Sequence, residues 1–161
     1  MSMNNIDKSV FVADGAKIIG NVTIGRNSRV WFNSVVRGDS NSIIIGNNTN
    51  IQDNVVIHTN HDHEVKIGDN VSIGHGAILH GCKIGNNVLI GMGSIILDGV
   101  VIEDNCIVGA GSLITQNKQI PNGSLVYGNP MRIVRKLNKE EIDSIESNAK
   151  EYVNKIKSYK Y

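Results

Sequence analysis

The chain has 161 residues, with 16 Lys and Arg against 15 Asp and Glu and a formal net charge of +1. That length fits one domain with a usable core, and the balanced charge offers no basic stripe for nucleic acid. Seventeen glycines beside only two prolines point to many tight turns, and two cysteines, Cys82 and Cys106, make a disulfide framework unfavoured.

The amino-terminal MSMNNIDKSV lacks the apolar core of a signal peptide, and no run approaches membrane-spanning length. A cytoplasmic protein with no membrane partner is expected. From Ile24 onward an aliphatic residue recurs every six positions. The triplets are Ile24, Val30, Val36; Ile45, Ile51, Ile57; Ile67, Ile73, Leu79; Ile84, Ile90, Ile96; and Ile102, Val108, Ile114. Glycine often follows the aliphatic residue, and Asn or Asp often comes two or three places after it. Those residues accept the unusual backbone angles that repeated corners require.

A helical stripe does not describe a six-residue period, and glycine at this density would destabilise a helix. Three six-residue units per turn instead make a triangular solenoid of short parallel strands, with one aliphatic residue per side pointing inward. Each coil buries its apolar face only by stacking on its neighbours, about 4.8 Å away. The pattern resembles the left-handed parallel β-helix of hexapeptide-repeat proteins, and the left hand is implied by that resemblance alone. Residues 1–137 are thus expected to form an all-β left-handed parallel β-helix. The triplets set a register in which Ile45, Ile67, Ile84 and Ile102 share the first side. Ile51, Ile73, Ile90 and Val108 share the second, and Ile57, Leu79, Ile96 and Ile114 the third. Extra length between third and first sides predicts loops at 38–44 and 59–66. Variable loops on one edge of a regular solenoid usually carry its function.

The pattern loosens through 115–130, with the turn I-P-N-G and the segment Y-G-N-P. Residues 138–161 read as a C-terminal α-helix of the same domain, packed on the solenoid or a neighbouring subunit. Asn138 can cap it, Glu140 and Glu141 sit in its first turn, and lysines 150, 155, 157 and 160 gather toward its end. Ile142, Ile145, Ala149, Val153 and Ile156 form its apolar face.

Three histidines stand out within the repeat. His58 follows Ile57 and His80 follows Leu79, so both occupy the same place on the third side, one coil apart. That is close enough to share one metal with bonds of about 2.0–2.1 Å. His75 lies two residues after Ile73 on the second side and should not reach the other two in its own chain. A neighbouring subunit could supply it, so the spacing predicts a homotrimer with a metal at each interface. His61 and His63, in T-N-H-D-H-E, read as solvated, with a proton relay as the lesser alternative. Cys82 reads as a buried filler. Arg37 stands where His58 and His80 stand, one coil earlier, and Asp39 begins the first variable corner. That pair is expected to tie subunits together. Gln52 either orients solvent on the metal or caps a turn. Asp53 occupies the place of His75 one coil before it.

R-G-D at 37–39, N-I-Q-D-N-V-V-I-H at 50–58, G-H-G-A-I-L-H-G-C-K-I-G at 74–85, G-M-G-S at 91–94 and Y-G-N-P at 127–130 together resemble the gamma-class carbonic anhydrases, over approximately residues 10 to 135. The resemblance implies that His58, His75 and His80 ligate zinc or ferrous iron at trimer interfaces. It gives Arg37 and Asp39 an intersubunit and bicarbonate-positioning role, and places Gln52 and Asp53 around the metal's solvent. The implied reaction is reversible hydration of carbon dioxide to bicarbonate by a metal-bound hydroxide. The chain departs from the best-known members, which carry a longer acidic loop with a glutamate shuttle. Here the corner offers only His61, Asp62, His63 and Glu64, and Ser40 replaces another glutamate. Met131 also stands where a small residue is expected. Two other classes compete: an acyltransferase using coenzyme A, which needs one histidine as general base, and a metal-binding trimer without hydration activity.

Overall fold

The computed structural model describes residues 4–155. Strands of mostly two or three residues follow one another around three sides, and every strand of the solenoid pairs in parallel with its counterpart one coil away. The register is the one the triplets set. Ile45, Ile67, Ile84 and Ile102 stack on the first side, Ile51, Ile73, Ile90 and Val108 on the second, and Ile57, Leu79, Ile96 and Ile114 on the third. These side chains fill the prism and are sealed from solvent. Each contributes about 1.5–3 kcal/mol by leaving water, so the coils stabilise one another along the axis rather than individually.

The corners explain the recurring asparagines. Asn27, Asn48, Asn70, Asn87 and Asn105, each three residues past an inward aliphatic, adopt φ of 53–57° between the first and second sides. Asparagine tolerates that left-handed conformation because its short polar side chain bonds locally. One place earlier in the same corner, a side-chain oxygen caps the backbone N–H of the coil before. Asn47 accepts from Arg26, Asp69 from Asn47, Asn86 from Asp69, and Asp104 from Asn86.

Two departures from the sequence reading concern extent. The repeat does not begin at Ile24, since Ile6, Val12 and Ile18 stand one coil before Ile24, Val30 and Val36. Nor does it end at Ile114: Ile120 and Val126 continue the first and second sides, fully buried, giving about seven coils in all. Pro121 replaces the usual glycine or polar residue after Ile120, which hid this coil. Met131 then opens a final antiparallel strand, Met131–Lys136, and packs against the core.

The expected loop at 38–44 is instead the middle of one bent strand, Val35–Ile45, that runs from the third side onto the first. It pairs with Lys17–Ile24, with a register shift between Gly20 and Val22. Gly20 and Gly38 lie directly opposite each other there. A Cβ on Gly20 would stand 2.3 Å from the Gly38 carbonyl oxygen, so the strand turns the corner only because both side chains are missing. The second expected loop is real, from Thr59 to Glu64.

The helix Lys139–Lys155 packs against the second side near Ser72–Ile73, where Ile145 is buried. Ile156, Lys157 and Lys160 lie outside the described residues, as do the side chains of Ala149, Lys150, Val153 and Lys155. Among the described residues no helix is long and apolar enough to cross a membrane. Asn138 and Glu141 cap the helix reciprocally: Asn138 Oδ1 accepts the Glu141 N–H and Glu141 Oε2 accepts the Asn138 N–H, both at 2.9 Å. Arg135 clamps the same carboxylate through two hydrogen bonds of 2.7 and 2.8 Å. That guanidinium, and then the Asn138 N–H, hold the Glu141 carboxyl down at about 2 against an ordinary 4.5. A depressed carboxyl stabilises the folded form above its unfolded value and loses that contribution as pH falls through the folded one. The cap is therefore expected to stay closed above about pH 4.5 and to loosen toward pH 2. The Asn138 amide resonance followed by NMR checks this, and added salt should weaken the exposed clamp.

Candidate metal centre

Parallel pairing places Arg37, His58 and His80 on one line along the third side, one per coil. His58 Nδ1 faces His80 Nε2 at 3.1 Å, with the rings edge-to-face at 61° and their centroids 5.0 Å apart. The outer nitrogens meet carboxylates: His58 Nε2 lies 3.0 Å from Asp39 Oδ1, and His80 Nδ1 lies 2.6 Å from Asp98 Oδ1. An ionised carboxylate only accepts, so in the neutral rings each outer nitrogen carries the proton. Both inner nitrogens then present lone pairs to each other. At 3.1 Å those lone pairs repel unless a cation, a proton or a metal ion, stands between them. Two imidazole nitrogens bound to one tetrahedral ion at about 2.0–2.1 Å stand about 3.3 Å apart. The pair fits a metal of that kind.

Asp39 is itself held. Arg37 Nη1 bonds its other oxygen, Oδ2. That hydrogen bond first, and the His58 contact second, keep the Asp39 carboxyl below its ordinary range. Arg37 and Asp39 pair within the chain, and through Asp39 the pair steadies His58.

His75 occupies the turn that joins the second side to the third, rather than the second side proper. Its ring shows the same design. Nδ1 pairs with Asp53 Oδ2 at 2.9 Å, and Asp53 is anchored through Oδ1 by the Phe32 N–H at 3.1 Å. Nε2 is left as the lone-pair nitrogen. Gln52 is 8% exposed, and its Oε1 accepts the His75 backbone N–H at 3.1 Å. It therefore caps the turn that carries the third histidine, the simpler of the two readings, and its amide N–H₂ group remains to donate elsewhere. His58 and His80 end their strands at the far end of the third side from this turn. Among the described residues, no group of three or more His, Cys, Asp and Glu side chains is placed to hold a metal ion within one chain.

His61 is exposed as expected, but His63 is half-buried. Asn60 Oδ1 accepts the N–H groups of both Asp62 and His63, which folds the loop back against Gly81 and Gly99. There His63 lines a cleft of about 280 Å³ with Asn41, Glu64 and Lys83. Cys82 is fully buried, and desolvation pushes its thiol up to about 12, which suits a filler and not a ligand. The residue that sequence reasoning passed over is Asp98. It follows Ile96 by two places, as Asp53 follows Ile51, but its coil carries no histidine to draw attention to it.

Residues 5–38 and 81–116 match the model of the bacterial transferase hexapeptide (six repeats), and residues 64–97 match the hexapeptide repeat of succinyl-transferase. A Methanocaldococcus jannaschii protein named "Probable carbonic anhydrase" is 55% identical over 158 residues, covering 96% of this chain and 99% of that protein. Gamma carbonic anhydrase 2, mitochondrial, of Arabidopsis thaliana is 48% identical over 155 residues and 92% of this chain. This chain spans only 56% of the length of that plant protein. Among solved structures, a hexapeptide transferase family protein from Anaplasma phagocytophilum superposes with a TM-score of 0.93 at 41% identity, covering 98% of this chain and 93% of that one.

Proposed function

This chain belongs to the gamma carbonic anhydrase family of hexapeptide-repeat proteins, and on that premise we propose that it hydrates carbon dioxide reversibly to bicarbonate at a metal shared between subunits of a homotrimer. One observation carries the reading: each of the three histidines has a carboxylate on one ring nitrogen, which in the neutral ring leaves a lone pair on the other. Carboxylate-backed imidazoles are the usual way a protein fixes tautomer and orientation for a metal. An acyltransferase needs one histidine as base and has no use for three so backed.

His58 and His80 of one subunit and His75 of the next would hold the ion, zinc or ferrous iron, since imidazole suits both. When bound, it supplies the Lewis acidity that makes a nucleophile of water near neutral pH. Asp39, Asp98 and Asp53 keep the ring protons off the metal-facing nitrogens. Gln52, whose oxygen is committed to the His75 turn, keeps its N–H₂ to donate toward a substrate oxygen. Arg37 keeps guanidinium donors beyond the Asp39 bond for the bicarbonate anion.

The trimer is supported by the outward face of the third side. Val35, Val56, Ile78, Ile95 and Leu113 follow one another there, one per coil, with Val56 and Ile78 on the strands that carry His58 and His80. Val56, Ile78 and Ile95 are exposed, and a continuous apolar stripe of this kind marks an interface.

The test is metal analysis and a carbon dioxide hydration assay on anaerobically purified protein. The expected result is one divalent ion per chain and hydration activity lost to a chelator and restored by zinc or ferrous iron. A full complement of metal without hydration would leave a metal-binding trimer. Protein free of stoichiometric metal would favour the acyltransferase.

A further inference from the structure

We propose that Asp98 is the positioning residue for His80, and that the missing side chain at Gly81 is what admits it; the inference rests on the metal site proposed above. Asp39 and Asp53 each stand one coil before the histidine they orient. Asp98 comes from the coil after His80, so the centre is braced from both directions along the solenoid axis.

Asp98 Oδ1 sits 2.6 Å from His80 Nδ1, and both side chains are about three-quarters shielded, at 26% and 30% exposure. The backbone beneath is pinned on three sides. Leu97 N–H donates to the Ile114 carbonyl, Asn117 N–H to the Asp98 carbonyl, and Gly99 N–H to the Gly81 carbonyl, at 2.8–3.1 Å. The carboxylate therefore leaves a fixed corner and crosses over residue 81 to reach the ring. A Cβ on Gly81 would lie 2.2 Å from Asp98 Oδ1, and the residue has φ of +53°. Any larger residue there would both strain the backbone and evict the carboxylate.

With its Nδ1 proton held by Asp98, His80 can offer only Nε2 to an ion, and that is the atom facing His58. Without the carboxylate the ring is free to exchange tautomers and rotate about its side-chain bonds. Half of the one-chain ligand pair would then be lost to the wrong nitrogen.

The experiment titrates metal-free, full-length protein with zinc against a chromophoric chelator, comparing wild type with Asp98→Ala, Asp98→Ser and Asp98→Asn. Serine is too short to reach the ring, and serves if alanine disturbs the corner. Alanine and serine are expected to weaken zinc binding about 10–100-fold, the usual effect of removing a ligand's hydrogen-bond partner. Asparagine, whose amide oxygen still accepts, should recover part of that loss. Nitrogen-15 spectra of the metal-free protein supply the readout that a merely structural role would not move. The His80 ring should be the Nδ1–H tautomer in wild type and a mixture in the alanine and serine variants. Unchanged affinity and tautomer in folded Asp98→Ala or Asp98→Ser overturn the role of Asp98 while leaving the metal site standing. Wild-type protein that takes up no zinc overturns both.

Discussion

Replacing His75 with alanine is expected to strip the metal from the protein, and carbon dioxide hydration with it, while the coils keep their melting temperature. The fold has little stake in this ring, which is 47% exposed and touches its own chain through one hydrogen-bonding contact to Asp53. The turn is held by backbone groups that alanine keeps, His75 N–H to Gln52 Oε1 and His75 carbonyl to Gly93 N–H. A surface substitution of that kind costs about 0.5 kcal/mol or less. The metal of the proposed site would lose one of three protein ligands, which must cost more than the 10–100-fold typical of losing a ligand's partner. Mixing gives a sharper result. Exchanged trimers of His75→Ala and His80→Ala subunits contain one arrangement in which the first supplies His58 and His80 and the second supplies His75. Partial return of bound zinc in the mixture is expected only if the site is shared. Wild-type metal content in His75→Ala alone would defeat the assignment of that residue.

The sequence was most legible where a residue's place followed from counting. The six-residue period set the large inward aliphatics from Ile24 to Ile114, because the solenoid repeats its geometry at each coil, but not the smaller buried residues two places before them, such as Val55, Ala77, Ser94 and Cys106. The same counting aligned His58 with His80 and Asp53 with His75, pairs that proved to be in register and in contact. Counting failed where the chain crossed a corner in an unusual way. A step of nine residues from Val36 to Ile45 suggested a loop, yet two stacked glycines let a continuous strand make the bend. It also failed where a partner came from a coil that bears no histidine of its own. Asp98 sits beside a glycine in L-D-G-V, an ordinary corner by composition, and only the space above Gly81 reveals where its carboxylate goes. Arg37 and Asp39 were close enough in sequence to be paired on sight, and counting set Arg37 one coil from His58, but that Asp39 reaches the ring of His58, nineteen residues on, required the fold.

Changing Ile78 to aspartate should dissociate the proposed trimer into monomers and empty its metal site, although His58, His75 and His80 are all untouched. Ile78 is 40% exposed in the single chain and lies between Val56 and Ile95 in the stripe, paired to both. Its side chain points away from the core, so the coil beneath, with Leu79 fully buried, does not depend on it. An aspartate at this point stays hydrated in the monomer at almost no cost. In an assembled interface it would be stripped of water, and its neighbours on the ladder, Val56 and Ile95, offer it no cation. Burying an unpaired carboxylate costs several kcal/mol, and threefold symmetry repeats that cost at all three interfaces. Sedimentation should therefore show a species of one-third the wild-type mass, still giving the circular dichroism of a β-solenoid. Bound zinc should fall in proportion to the trimer lost, and recover at concentrations high enough to force association. That concentration dependence separates a shared site from one built by a single chain, whose occupancy would not follow assembly. A variant that remained trimeric at low concentration with its metal in place would move the interface off the third side. His75 would then have to reach the His58–His80 pair across another face.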